Sequence, residues 1–404
     1  MMHILKDDQM TKPGNIQSKA FTIGMLGVLL FSPSCKPGSG TGAEAVSPDN
    51  EFRSVFYSDS GGISGADGLF SFPLPDGSSI FLLGDCFIGE VRSGARDTST
   101  PMLRNAFNLV NKEKTAAMAI VRGTIDAPLT LMEPVNEPGD STYRWYWPGH
   151  GFIRNDTIYV FALSLVNDTS AVINFGLPEG ADDETVDMAE MIFSFRISHI
   201  DLLSFSYPDF RHLETHRTEI DYPVSQIDFG NCVMVDNGYV YIFGTRNLSA
   251  KAEIHAARVP FNSSTLYRDW EFSTGAGWER DISRAAPLDI DISVSEQFSI
   301  FRHRNKYILL TQERAGADIY TYVSDFPDRG FHNKKFIYHT AETEADTSKR
   351  VFTYNALAHM QYIENNRLLV SYCVNSLNPG DVFSDVEKYR ARFIRVPIKL
   401  ILRE

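Results

Sequence analysis

The chain has 404 residues, of which 43% are hydrophobic, and 38 Lys and Arg face 51 Asp and Glu for a formal net charge of −13. That apolar fraction supports a sizeable core and excludes a disordered, collagenous or low-complexity protein. The acidic balance argues against nucleic acid and anionic membrane surfaces as partners, while 17 Tyr and 28 Phe favour β-structure and sugar-facing surfaces over helical bundles.

Residues 1–35 read as a targeting segment. Lys6, Lys12 and Lys19 precede an apolar run, Phe21–Phe31. The run is too short for a membrane span, which needs about 20 apolar residues, and suits the core of a signal peptide. It ends in Ser32-Pro33-Ser34-Cys35, which resembles the lipobox of bacterial lipoproteins. The resemblance implies lipidation of Cys35 and a place in the envelope of a Gram-negative bacterium, in the outer membrane, facing the periplasm or exposed at the surface. Membrane contact would then run through the lipid anchor alone. Residues 36–50, rich in Gly, Ser, Pro and Thr, read as a flexible tether. Residues 51–404 are left for the fold. Cys86, Cys232 and Cys373 lie in or beside apolar strand-like runs and read as buried free thiols. No Cys/His spacing suggests a metal centre, so no cofactor is expected; a structural cation at a central axis stays open.

Beyond residue 50 no long stretch keeps a helical period. One unit recurs instead: an apolar strand, a polar turn, and a second strand rich in Tyr, Ile, Val, Leu and Phe. The copies are Leu69–Leu83, Gly151–Ala162, Cys232–Gly244, Phe298–Thr311 and Ala358–Tyr372, turning at Asp76-Gly77, Asn155-Asp156, Asn237-Gly238, Arg304-Asn305 and Asn365-Asn366. Their turns recur at intervals of 61 to 82 residues, room for a four-stranded antiparallel blade. The echo between Ala257–Pro260 and Ile394–Pro397, shared in part by Phe195–Ile197, suggests third strands. The expected fold is all-β, a five-bladed β-propeller of four-stranded antiparallel blades, with a strand near Phe52–Tyr57 closing the ring. A pair of β-sandwiches explains the equal units less well. The segment Leu177–Met191 reads as an acidic, solvated insertion.

In a propeller, residues just before each innermost strand face one mouth of the channel. That reading brings Asp67, His150, Asp228, Glu296 and His359 together. Clustered acids raise one another's pKa, as glycoside hydrolysis requires of its proton donor. Asp67, Asp85, Glu296 and Asp228 are the candidate catalytic carboxyls. Arg104, Asn105, Trp147, His150, Asn231, Tyr354, Asn355 and His359 are candidates for holding sugar, with Tyr146 as a further stacking surface.

The stretch Gly65–Gly89 (GADGLFSFPLPDGSSIFLLGDCFIG) with Arg104–Val110 (RNAFNLV) resembles the opening motif of bacterial secreted propellers long labelled as domains of unknown function. Tyr354–Ser376 and Tyr389–Ile398 resemble their closing motifs. One branch, glycoside hydrolase family 183, contains D-arabinanases. That resemblance implies hydrolysis of a furanoside polysaccharide, with Asp67 and Asp85 as the leading acids. Glycoside hydrolase family 43 is a wider fold analogue, in which Glu296 would be the comparable acid. The sialidase Asp-box is absent from the sequence. The expected function is a monomeric envelope glycoside hydrolase acting on poly- or oligosaccharide. The alternatives are a non-catalytic glycan-binding lipoprotein using the same face, and a scaffold propeller that binds protein.

Overall fold

A computed structural model of the protein describes residues 45–136, 139–172, 194–248, 251–348 and 350–402. The signal segment, Cys35 and the acidic insertion at 177–191 lie outside the described residues. Five antiparallel sheets follow one another along the chain, and their first strands touch in a closed circuit, one, two, three, four, five and back to one. The molecule is therefore a five-bladed β-propeller.

All five recurring units are the first hairpins of their blades. The first strands are Ile63–Pro73, Arg144–Arg154, Ile227–Asp236, Ser299–His303 and Val351–Glu364. The turns fall at the Asn and Gly positions read from the sequence. Asn155, Asn237, Arg304 and Asn365 take positive φ of 48° to 54°, the conformation that two-residue hairpins need and Asn tolerates best. Ala257–Pro260, Ile394–Pro397 and Phe195–Ile197 lie in third strands, as their echo suggested.

Alternation along the middle strands explains the packing. Side chains on a strand point alternately to its two faces, and each face of a blade meets a neighbouring blade. Val160 therefore packs towards blade one and Phe161 towards blade three. Leu309 and Ile308 divide in the same way between blades three and five. Burial on both faces is why these strands read as continuous apolar runs. The three described cysteines are buried and unpaired.

Ring closure differs from the sequence reading. Residues Asn50–Phe56 form a helix, and the closing strand is Ser47–Pro48, inside the stretch read as tether. It pairs with the third strand of blade five, Ser47 opposite Arg395 and Pro48 opposite Ile394. The cause is local. The Asp49 carboxylate accepts the Phe52 N–H at 2.9 Å as a helix cap. Phe52 and Phe56, four residues apart, share one buried face against Phe81 and Phe393. The other Asp49 oxygen accepts Arg395 Nε at 2.6 Å.

Candidate active site

The inner strands run further towards the axis than the repeats suggested, and the polar residues sit on irregularities within them. Register slips fall at Ala66/Gly68 in blade one, Pro148/Gly151 in blade two, Phe229/Cys232 in blade three and Tyr354/Leu357 in blade five. A bulge re-aims the side chain it carries, and the slip in blade one carries Asp67; Trp147, Asp228 and Tyr354 are paired just ahead of the slips in their own strands, and all four line one cleft. Glu296 lies just ahead of the blade-four strand. The cleft measures about 1060 Å³ and takes residues from all five blades. Asp67, Asp85, Asp228 and Glu296 all line it.

The four acids form two pairs. Asp67 and Asp85 belong to blade one. Asp228 and Glu296 belong to blades three and four, neither of which neighbours blade one in the ring. In each pair one carboxyl has a cation and the other a phenol. Arg104 lies 3.2 Å from Asp85, which also accepts the Trp147 indole N–H at 3.2 Å. The Tyr354 hydroxyl donates to Asp67 at 2.8 Å. Across the cleft Arg314 lies 2.8 Å from Glu296, and the Tyr222 hydroxyl donates to Asp228 at 2.6 Å. A Cβ at Gly84 would run into the Asp67 carboxylate, so the glycine after Leu83 gives that acid its space.

These partners set the protonation states. Burial, then the charge of Asp85, pushes Asp67 up to about 7 against the relief of its tyrosines. Burial, reinforced by Glu296, pushes Asp228 up to about 7. Burial also raises Asp85 and Glu296, with Arg104 and Arg314 pulling the other way. All four carboxyls are thus shifted towards the protonated form, and in each pair the Arg-bound member has the counter-charge that opposes the shift.

Several residues read as sugar ligands are placed otherwise. His150 does not line the cleft. Its Nε2–H donates to the Ser71 carbonyl at 3.2 Å, and Nδ1 accepts the Val233 N–H at 3.0 Å, tying blades one, two and three together. Burial holds it down at about 4, hence neutral. His359 is fully buried between the Ser71 and Ser371 hydroxyls, at 2.6 and 2.9 Å, and burial holds it down at about 3. Asn105 is buried, its amide spent on the backbone of Met132 and on the Tyr146 carbonyl. Tyr146 is buried too, donating to Asp201. Asn231 and Asn355 do reach the cleft, but their amides clamp the Glu296 turn. Asn231 Nδ2 donates to the Glu296 carbonyl at 2.8 Å. Asn355 Oδ1 accepts Ser295 Oγ at 2.7 Å and the Gln297 N–H at 3.2 Å.

The sequence reading missed Arg314, Tyr222, Tyr389 and Trp145, all of which line the cleft. Arg314 follows its hairpin as Arg104 follows that of blade one, a parallel that could have signalled it. Among the described residues no group of three or more His, Cys, Asp and Glu is arranged to hold a metal ion.

Comparison with known proteins agrees with this architecture. No curated protein matches the chain in sequence. Among solved structures, a Bacteroides ovatus protein provisionally called a hydrolase superposes with TM-score 0.66 at 16% identity, over 87% of this chain and 90% of that one. The β-xylosidase RS223 gives TM-score 0.47 at 11% identity over 87% and 94% of the two chains. The GH43_1 enzyme from Xanthomonas citri, complexed with xylotriose, gives 0.43 at 11% over 86% and 91%. For the Bacteroides ovatus protein, at 16% identity, the likeness is one of fold alone. Residues 49–398 match the family model named Domain of unknown function (DUF5005), and the chain belongs to that family.

Proposed function

We propose that the protein is a glycoside hydrolase whose acid and carboxylate come from opposite walls of the cleft, Asp67 on one and Glu296 on the other. The observation that carries this reading is the pairing of four carboxyls in one cleft, each pair holding one Arg-bound and one Tyr-bound member. Glycoside hydrolysis needs a protonated carboxyl and a carboxylate flanking the scissile bond. Groups on the same wall cannot flank a chain lying in the cleft, so each wall contributes one. Asp85 is held by a guanidinium and an indole, whereas Asp67 is held by phenols. Asp228 is only 5% exposed, whereas the Glu296 side chain is 22% exposed. Asp85 and Asp228 are then the neighbours that tune protonation. Trp147 and Tyr354 help position the sugar beside these acids.

The glycan-binding alternative expects the acids to lie scattered, or to be Arg-paired and fully ionised, with aromatics lining a groove; Asp85 and Glu296 are Arg-paired, but Asp67 and Asp228 are not, and all four line one cleft. A protein-binding scaffold gives no reason for four carboxyls gathered in one cleft. A furanoside such as arabinan is the first substrate to try, on the resemblance of Gly65–Gly89 and its companion motifs. A lipid anchor at Cys35 would place the activity at the cell envelope, and radiolabelled palmitate incorporation lost in Cys35→Ala tests it.

The reading is tested by incubating the protein with plant and bacterial polysaccharides and measuring reducing ends. Release from at least one glycan is expected. Retention of a glycan without release would favour the binding module. Which wall donates the proton follows from leaving-group dependence: the acid variant keeps far more activity on nitrophenyl glycosides than on natural linkages, and the base variant does not.

A further inference from the structure

On the reading just given, we propose that the cleft takes an uncharged polysaccharide chain, and that Tyr143 and Trp145 form an outer subsite for sugar units beyond the scissile bond.

Charge decides the class of sugar. Three cationic side chains are found among the residues lining the cleft, and each has an acid of its own: Arg104 with Asp85, Arg314 with Glu296, and Arg196 with Asp168 at 3.0 Å. A uronate entering the cleft would meet four carboxyl groups and, among the described lining residues, no cation without an acid partner. Desolvating its charge there would cost far more than its hydrogen bonds return.

The rim decides the length of the chain. At about 1060 Å³ the cleft lies at the top of the 300–1,000 Å³ that holds a drug-sized ligand, which is room for several sugar rings. Its wall continues outward from Asp85 through Arg104, whose guanidinium stands 5.0 Å over the Trp145 ring. Tyr143 stacks on Trp145 at 5.7 Å and 27°, and its hydroxyl lies beside Arg104. Trp145 is buried, whereas Tyr143 is 58% exposed. An aromatic ring held rigid by stacking yet open to solvent offers an apolar face to a pyranose or furanose at little entropic cost. Trp145, Met102 and Leu248 line the cleft, Met102 and Leu248 being 44% and 38% exposed, and Tyr143 lies outside that lining, against Trp145. The Trp145 indole N–H and the Gln297 amide oxygen are buried with no partner among the described residues.

The test compares the parent protein with Tyr143→Ala and Tyr143→Phe. Substrates are the longest and the shortest oligosaccharides of whichever neutral glycan is cleaved, with polygalacturonate and alginate in parallel. Tyr143→Ala is expected to lose about ten-fold in kcat/KM on the long substrate, carried by KM, and at least five-fold less on the short one. Tyr143→Phe should stay near the parent, and the polyuronates should be untouched. Equal losses on both lengths, or cleavage of a polyuronate, overturn the proposal while leaving hydrolysis standing. If no glycan is cleaved, hydrolysis falls, and affinity gels of arabinan, xylan and polygalacturonate still judge the subsite. Retardation by a neutral glycan that weakens in Tyr143→Ala supports it. Unchanged retardation, retardation by polygalacturonate alone, or none at all overturns it.

Discussion

Asp67 and Asp228 lie on blades that are not neighbours in the ring, yet each is a buried carboxyl facing a tyrosine hydroxyl beside a second acid that owns an arginine. For Asp67 the consequence is a measurable pH dependence of stability. Its folded pKa near 7 exceeds the ordinary 3.8, so the folded state binds the proton more tightly than the unfolded chain. That stabilisation is full below about pH 4 and is lost as pH rises through 7. Asparagine does not titrate and still accepts from Tyr354. The melting temperature of Asp67→Asn minus that of the parent should therefore increase from pH 4 to pH 8, as followed by calorimetry; a constant difference would mean that Asp67 titrates normally. Activity should fall above about pH 7 as the proton-donating wall empties. Asp67, Asp228 and Glu296 were legible in the sequence because each stands just ahead of an apolar repeat, and Asp85 because it follows the apolar run of the second strand of blade one. Of their partners Arg104 and Tyr354 were read as sugar ligands, and Arg314 and Tyr222 were missed, because the pairings join separate turns and even separate blades: Tyr354 reaches Asp67 across 287 residues.

At the scale of elements, the hairpins were legible and the bulges were not. A two-residue Asn or Gly turn between apolar runs has a local signature, whereas a bulge is fixed by the neighbouring strand's register. Placing Asp67 and Asp228 before their strands was for that reason a few residues out of register. The two histidines show the same limit. His150 on its bulge faces the core side, stacked on Phe70 at 5.4 Å, and spans three blades. His150→Ala should thus lower stability by about 2–3 kcal/mol through lost packing and an unpaired Val233 N–H. The change is read as a shift in urea midpoint with kcat of the folded fraction unaltered. A lost kcat with an unchanged midpoint would restore a role at the site. The helix at Asn50–Phe56 was misread as a strand because Phe52 and Phe56 suit either period. The Asp49 cap and a partner strand more than 340 residues away settle the matter.

For the whole molecule, the closing strand and that helix are the latch between the first and last blades. A propeller without it has an open edge and an exposed core face. Asp49→Ala removes the cap of the helix and the 2.6 Å contact to Arg395 together, and should cost about 2 kcal/mol. A chain starting at Gly62, lacking both elements, should fail to fold cooperatively in a thermal scan, whereas one starting at Thr41 should melt as the longer chain does. The fold as a whole was readable because five copies of one pattern report the same architecture. The cleft exists only once the ring is shut, which brings residues from all five blades to one axis.

The central claim is that one carboxyl from each wall works on the same glycosidic bond. Its most direct test is the rate of reducing-end release by the parent, by Asp67→Asn, by Glu296→Gln and by the double variant, each checked for an intact thermal transition. Each single change is expected to cost about 10²–10⁴-fold, with the double variant little worse than the poorer single one, because both groups serve one step. Parental rates in either single variant would show that the paired walls are not the catalytic centre.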